Sequence, residues 1–281
     1  MTDERKATSG MLHRSADLAA SFDRAAAGYD ARPGYPARVY EILAATCGLR
    51  DGSRIVEIGP GAGQATRPLV ELGAHVVAVE PGPALAQRLS EVMAGAPVDI
   101  VVSAFESVEL AECAFDLVVG ATSFHWVNPE VGVAKAAAAL RDGGWLALWW
   151  TVWGDDDRPD PFHEALEPIL TTKAPQIVGD QFGATAFLND IEARVSYIAQ
   201  SRAFGAVTRE LIKWEGRHDP VGLRRMFATF GAWISLPDDL REHVLDEVER
   251  LARDEFGGVV RRPYQTVVYV AQRLARPSRI R

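Results

Sequence analysis

Cysteine is scarce: Cys47 and Cys113 are the only two in 281 residues. Two cysteines cannot build a disulfide framework, and these match no metal-ligand spacing. Reduced thiols in a cytoplasmic protein, with no metal, are the expectation. Long apolar runs are missing as well. The longest, residues 145–153, falls far short of the roughly 20 residues that cross a bilayer, so no membrane-spanning helix is expected. The opening MTDERKATSG lacks the apolar core of a signal peptide. Positive charge is in deficit, with 30 Lys and Arg against 38 Asp and Glu and a net charge of −8. That balance argues against a nucleic-acid or anionic-membrane partner. There is no internal repeat, which excludes a solenoid or propeller.

What remains is an ordinary globular composition, 48% apolar and 24% charged. The length suits one large α/β domain or one domain with a sizeable insertion. The chain is organised around residues 53–83, SRIVEIGPGAGQATRPLVELGAHVVAVEPGP. A short apolar run at 55–58 reads as a buried strand. Gly59, Gly61 and Gly63 follow at alternate positions, then a helical pattern over 64–72 and a second strand over 75–79 ending on Glu80. Strand, glycine turn, helix and strand make a βαβ unit whose turn brings backbone N–H groups close to a ligand.

The dinucleotide fingerprint G-x-G-x-x-G/A fits in neither register, because Gln64 or Thr66 falls where the last small residue belongs. Glu57, two residues before Gly59, lies on the same side of the strand. A carboxylate there repels a pyrophosphate and suits a cation. Glu80, 17 residues after Gly63, is placed to accept from a ribose diol. The ligand implied is a phosphate-free, positively charged nucleoside, a description met by S-adenosylmethionine.

VEIGPGAGQAT resembles motif I of the class I S-adenosylmethionine-dependent methyltransferases, and FDLVVGATSFHWV (115–127) resembles the fourth-strand motif of their small-molecule branch. The His-Trp pair, FDRAAAGYDARPGYP (22–36) and RRPYQTVVYVAQR near the end are similar to type 11, trans-aconitate methyltransferase-like sequences. The likeness spans about residues 22–273. It implies a Rossmann-like, seven-stranded, mostly parallel sheet with helices on both faces, and insertions between the last strands that cover the active site.

The pattern along the chain agrees with a doubly wound parallel sheet. Residues 1–12 are expected to be disordered, and 13–27 reads as an amphipathic helix. The proline- and glycine-rich YDARPGYP is a loop lying over something, and 36–47 is a second helix. Further helices are expected at 84–94 and 130–140, and strands at 98–102, 115–120 and 145–153. The core is thus 13–153. Segments 154–202 and 215–258 are expected as a helical cap, 203–214 and 259–273 as the last strands, and 274–281 as a basic tail.

The chemistry is expected to lie with the following residues. Glu57 contacts the cofactor's amino-acid end, directly or through water, or else is a strand residue paired with a distant arginine. Gly59, Gly61 and Gly63 form the cradle; Glu80 takes the ribose, with Pro81 edging the adenine. Ala104 stands where the family carries an aspartate for the adenine amine, so the Phe105 N–H and Glu106, or a water, are expected to serve the ring. Gly120 and Ala121 leave room for the methionine moiety. The resemblance implies that the loop with Tyr29 and Arg32 closes over the cofactor, Arg32 pairing with the methionine carboxylate or an acidic substrate; the plainer reading is a folded loop. His125 is either a general base for an acceptor that carries a proton or a packed histidine beside Trp126. Trp150, Trp153 and Trp214 are candidates for an aromatic wall. The function expected is methyl transfer to a small-molecule acceptor, with S-adenosyl-L-methionine as cofactor. The alternatives are a non-catalytic S-adenosylmethionine-binding protein and an NAD(P)-dependent oxidoreductase.

Overall fold

The computed structural model describes residues 26–155, 157–178 and 184–276. The stretch 1–12, nearly all of the helix expected over 13–27 and most of the tail at 274–281 lie outside them. Seven strands form one sheet: β1 (Arg54–Ile58), β2 (His75–Glu80), β3 (Val98–Val102), β4 (Phe115–Ala121), β5 (Leu140–Trp153), β6 (Thr208–His218) and β7 (Val260–Gln272). Their order is β3-β2-β1-β4-β5-β7-β6. The first five are parallel, and β7 runs antiparallel between β5 and β6. The order reverses between β1 and β4, and in such sheets the ligand crevice opens there, outside the carboxyl ends of the strands.

The helices are α1 (Ala37–Cys47), α2 (Thr66–Glu71), α3 (Pro83–Val92), α4 (Pro129–Ala139) and α5 (Pro161–Lys173). After them come α6 (Ala184–Gln200), α7 (Pro220–Phe227), α8 (Gly231–Ile234) and α9 (Asp238–Asp254). None is long and apolar enough to cross a membrane among the described residues. Strand alternation decides which face each apolar residue serves. Ile55, Val76, Leu117 and Trp149 bury against α1, α2 and α3. Val56, Val79, Val118 and Trp150 bury on the opposite face, against α4 and α6. A separate cluster, built on Phe162, Phe227, Trp233 and Val248, holds α5, α7, α8 and α9 together as a cap.

A buried ion pair fastens that cap to the sheet. Arg262 on β7 donates to Asp160 Oδ2 through Nε and Nη2, each at 2.8 Å, with 2% and 8% side-chain exposure. The other oxygen of Asp160 caps α5 by accepting from His163 N at 3.0 Å.

Three elements depart from the sequence expectation. β5 begins at Leu140 because the Asp142-Gly143-Gly144 turn forms a bulge, Gly143 at φ 76°, instead of ending the pairing. β7 spans Val260–Gln272, inside the expected 259–273, and its pairing runs through Arg261, Arg262 and Pro263. β6 runs from Thr208 to His218, not over 203–214, pairing with β7 along its whole length. Finally, α6 falls within the expected cap segment 154–202, yet its Ile191, Val195 and Ile198 pack on the sheet.

Candidate functional site

The turn after β1 requires glycine at its first two positions. Gly59 and Gly61 sit at φ 60° and 58°, the left-handed region that L side chains rarely adopt. A Cβ on Gly59 would lie 2.8 Å from Ser123 Cβ, and one on Gly61 3.0 Å from Tyr29 Cε1. The Ser123 hydroxyl, beyond β4, donates to the Ile58 carbonyl and draws the ends of β1 and β4 together.

Glu80 braces this turn from the end of β2. Its Oε2 accepts from Gly61 N and its Oε1 from Gly82 N, both at 3.0 Å, with the side chain almost fully buried. The loop after β3 supplies the next wall. Phe105 is buried there, while Glu106 Oε1 accepts from Asn128 N at 2.8 Å at the start of α4. Asn128 in turn caps α4 by accepting from Glu130 N and Val131 N.

The roof is the turn at Ala26–Ala31 with the loop that follows it. The Tyr29 carbonyl accepts from Gln64 Nε2 at 2.7 Å. Asp30 pairs with Arg225 of α7 at 2.9 Å and Arg88 of α3 at 3.5 Å. Arg32 donates through Nε to Thr229 Oγ1 at 2.9 Å and through Nη2 to its carbonyl at 2.8 Å. The same guanidinium stacks on Tyr29, 4.3 Å from the ring centre. The far wall is polar and aromatic. Tyr35 donates to Thr122 Oγ1 at 3.1 Å and packs edge-on against Trp149 at 5.7 Å. Burial holds its phenol far above the ordinary value.

These walls enclose a cavity of about 610 Å³, within the range of small-molecule sites. Of the residues singled out in the sequence, Tyr29, Arg32, Gly59, Gly61, Glu80, Pro81, Ala104, Phe105, Glu106, Ala121 and Trp153 line it. Four do not. Glu57 is turned into the interior: its Oε2 accepts from Thr66 Oγ1 at 2.7 Å and its Oε1 is buried without a hydrogen-bond partner. Burial, and then repulsion from Glu80, outweigh the Thr66 bond and push its carboxyl up to about 7. The alternation that puts Glu57 on the Gly59 side of the strand is the alternation that points it behind the turn, toward α2. Gly63 faces Leu89 of α3, and Gly120 faces Leu148.

His125 is the fourth. Its Nδ1 accepts from Trp150 Nε1 at 3.1 Å and its ring packs on Trp126 at 4.6 Å. The short helical turn Phe124–Trp126 sends Trp126 to the cavity and His125 back over β5, the placement of a packed histidine. Trp150 is core, and Trp214, on the edge strand β6, donates to Thr266 of β7.

Neither Thr122 nor Thr151 stands out in the sequence as a site residue. Thr122 adopts φ 53°, which its residue type does not foretell. Tyr35 had a weak signal, as an aromatic in a loop expected to cover something.

The lining fits a cationic nucleoside. Its acids are Glu80 and Glu106, and its only lysine or arginine among the described residues is Arg32, held on Thr229 rather than on the glycine turn. A diphosphate would meet Glu80 with no cation beside it.

Comparison with known proteins agrees. A model described as a methyltransferase domain matches residues 56–148. The uncharacterised methyltransferase Rv3342 of Mycobacterium tuberculosis is 28% identical over 237 residues, 84% of this chain and 86% of its own length. The protein is an S-adenosylmethionine-dependent methyltransferase. YrrT of Bacillus subtilis, also an uncharacterised methyltransferase, is 29% identical over 132 residues, 47% of this chain and 60% of its own. Among solved structures, a protein assigned as a type II methyltransferase from Anaeromyxobacter dehalogenans superposes with a TM-score of 0.61 at 18% identity. It covers 87% of the methyltransferase described here and 99% of its own chain, and shares its fold. The phosphoethanolamine N-methyltransferase 2 of Haemonchus contortus, in complex with S-adenosyl-L-methionine, gives 0.52 at 14% identity over 90% of this chain and 57% of its own.

Proposed function

We propose that this methyltransferase acts on a small molecule held in the half of the cavity bounded by Tyr35, Thr122, Thr151 and Trp153. The observation that carries this reading is that one continuous cavity reaches from Glu80 on β2 to Trp153 on β5. It has room for a nucleoside at one end and a second compact molecule at the other. Glu80 accepts from the ribose hydroxyls, Phe105, Ala104 and Pro81 bound the adenine, and Gly59 and Gly61 present backbone to the amino-acid end. Tyr29 and Arg32 close the roof and exclude water.

S-adenosylmethionine, when bound, supplies a methyl group already activated on a sulfonium. The protein's share is alignment and desolvation, which in favourable cases lower a barrier by about 7–11 kcal/mol. His125 is turned from the cavity, so no base role is assigned to it. The test is transfer from methyl-labelled cofactor into a metabolite extract. A labelled product of low mass supports the reading. Label recovered solely in protein or nucleic acid contradicts it.

A further inference from the structure

Thr122 is out of place by every local criterion. It is β-branched, it follows β4 directly, and its φ of 53° lies where such residues are rarely found. A backbone of this kind persists where the surroundings over-determine it, and it concentrates at ligand sites. Two contacts hold it: its N–H donates to the Trp149 carbonyl at 2.7 Å, and its hydroxyl oxygen is gripped from two sides. Tyr35 donates to that oxygen at 3.1 Å, and the Thr151 N–H donates to it at 3.4 Å.

A threonine hydroxyl has two lone pairs and one proton. Tyr35 and Thr151 take the lone pairs. The proton meets no acceptor among the described residues, and Thr122 lines the cavity. The strand order places this atom at the far end from Glu80, which stands on β2, whereas Thr122 and Thr151 stand on or beside β4 and β5. Tyr35 and Trp153 add aromatic walls at that end.

We propose that the Thr122 hydroxyl orients the methyl acceptor by donating its proton to a carbonyl-type or other lone-pair-bearing group of a flat, unsaturated molecule, and that Tyr35 fixes the direction of that donation. The inference rests on the methyltransferase reading and goes beyond it to a residue and a substrate feature. A donor of this kind fixes a neighbouring group of the acceptor and leaves the attacking lone pair unencumbered. Tyr35 acts through Thr122 and is a positioning residue.

The experiment uses the protein saturated with S-adenosylhomocysteine and two neutral probes of similar shape. Acetophenone carries a carbonyl acceptor; ethylbenzene carries none. The wild type is expected to bind acetophenone about three- to tenfold more tightly, the value of one hydrogen bond. Thr122→Val should abolish that preference and Thr122→Ser should retain it, while the affinity for S-adenosylhomocysteine stays within threefold in both. Tyr35→Phe, which keeps threonine at the strained position and its N–H bond to the Trp149 carbonyl, should reduce the preference and serves if Thr122→Val does not fold. A wild type with no preference for acetophenone, or a preference that survives both Thr122→Val and Tyr35→Phe, overturns the proposal. Failure of S-adenosylhomocysteine to bind the wild type would be separate, and would remove the methyltransferase reading itself.

Discussion

The carboxylate of Glu80 lies 3.0 Å from the backbone nitrogen of Gly61, joining the end of β2 to the middle of the glycine turn. That bond makes the turn and the acid one unit, so the turn's conformation and the cofactor's recognition are expected to be coupled. Gly61→Ala tests the coupling. A methyl group at φ 58° meets Tyr29 Cε1 at 3.0 Å, so both backbone and roof are strained. Thermal unfolding should show a loss of about 1–2 kcal/mol, and the affinity for S-adenosylhomocysteine should fall by at least tenfold.

Glu57 makes stability depend on pH. Its folded-state carboxyl is raised from 4.5 to about 7, by burial first. The folded protein therefore holds the proton more tightly than the unfolded chain. The stabilisation this gives is complete below about 4.5 and is lost as pH rises through about 7. Glu57→Gln keeps an acceptor for Thr66 and removes the titration. Denaturant unfolding should find this variant more stable than the wild type at pH 8, by up to roughly 3 kcal/mol, with the gap closing toward pH 5. Equal pH profiles for the two proteins would sink this account of Glu57.

The cap should depend on Asp160. Asp160→Asn preserves the helix cap on α5 but leaves the Arg262 guanidinium buried without its counter-charge. Stranding a buried charge costs about 3–5 kcal/mol. Calorimetry should show a lower Tm, and pairing Asp160→Asn with Arg262→Met should recover part of the loss. If the double variant is no better than the single, the pair is not what holds the cap.

The roof is expected to govern release. Arg32 binds Thr229 twice and stacks on Tyr29. Arg32→Lys loses the two-point grip and the flat stacking surface. Stopped-flow displacement of S-adenosylhomocysteine should show dissociation several-fold faster, with association little changed. An unaltered dissociation rate would mean the roof opens independently of this clasp.

How much of this was legible beforehand depended on the range of the signal. The βαβ unit around Gly59 was plain because apolar runs and glycines are local and periodic. The position of Glu80 followed from spacing within that unit. Glu57 was read onto the right side of its strand but onto the wrong side of the turn, since period-2 alternation does not say how the following loop folds over it. His125 and Trp126 are neighbours, and only the three-dimensional turn decides which one meets the cavity. Arg262 in β7 carries no local mark of burial; its partner Asp160 is 102 residues away, beyond any sequence pattern. Thr122 was invisible because its conformation is imposed by Trp149, Tyr35 and Thr151, which come from three separate segments.

An acid-braced glycine turn with no cation beside it is expected to take a phosphate-free nucleoside and not a diphosphate. Isothermal titration of the full chain with S-adenosylhomocysteine and with NADH tests it most directly. One S-adenosylhomocysteine per chain, weakened about ten- to a hundredfold by Glu80→Ala, with no heat from NADH, is the expected result. Saturable NADH binding that competes with S-adenosylhomocysteine, or S-adenosylhomocysteine binding indifferent to Glu80→Ala, would contradict it.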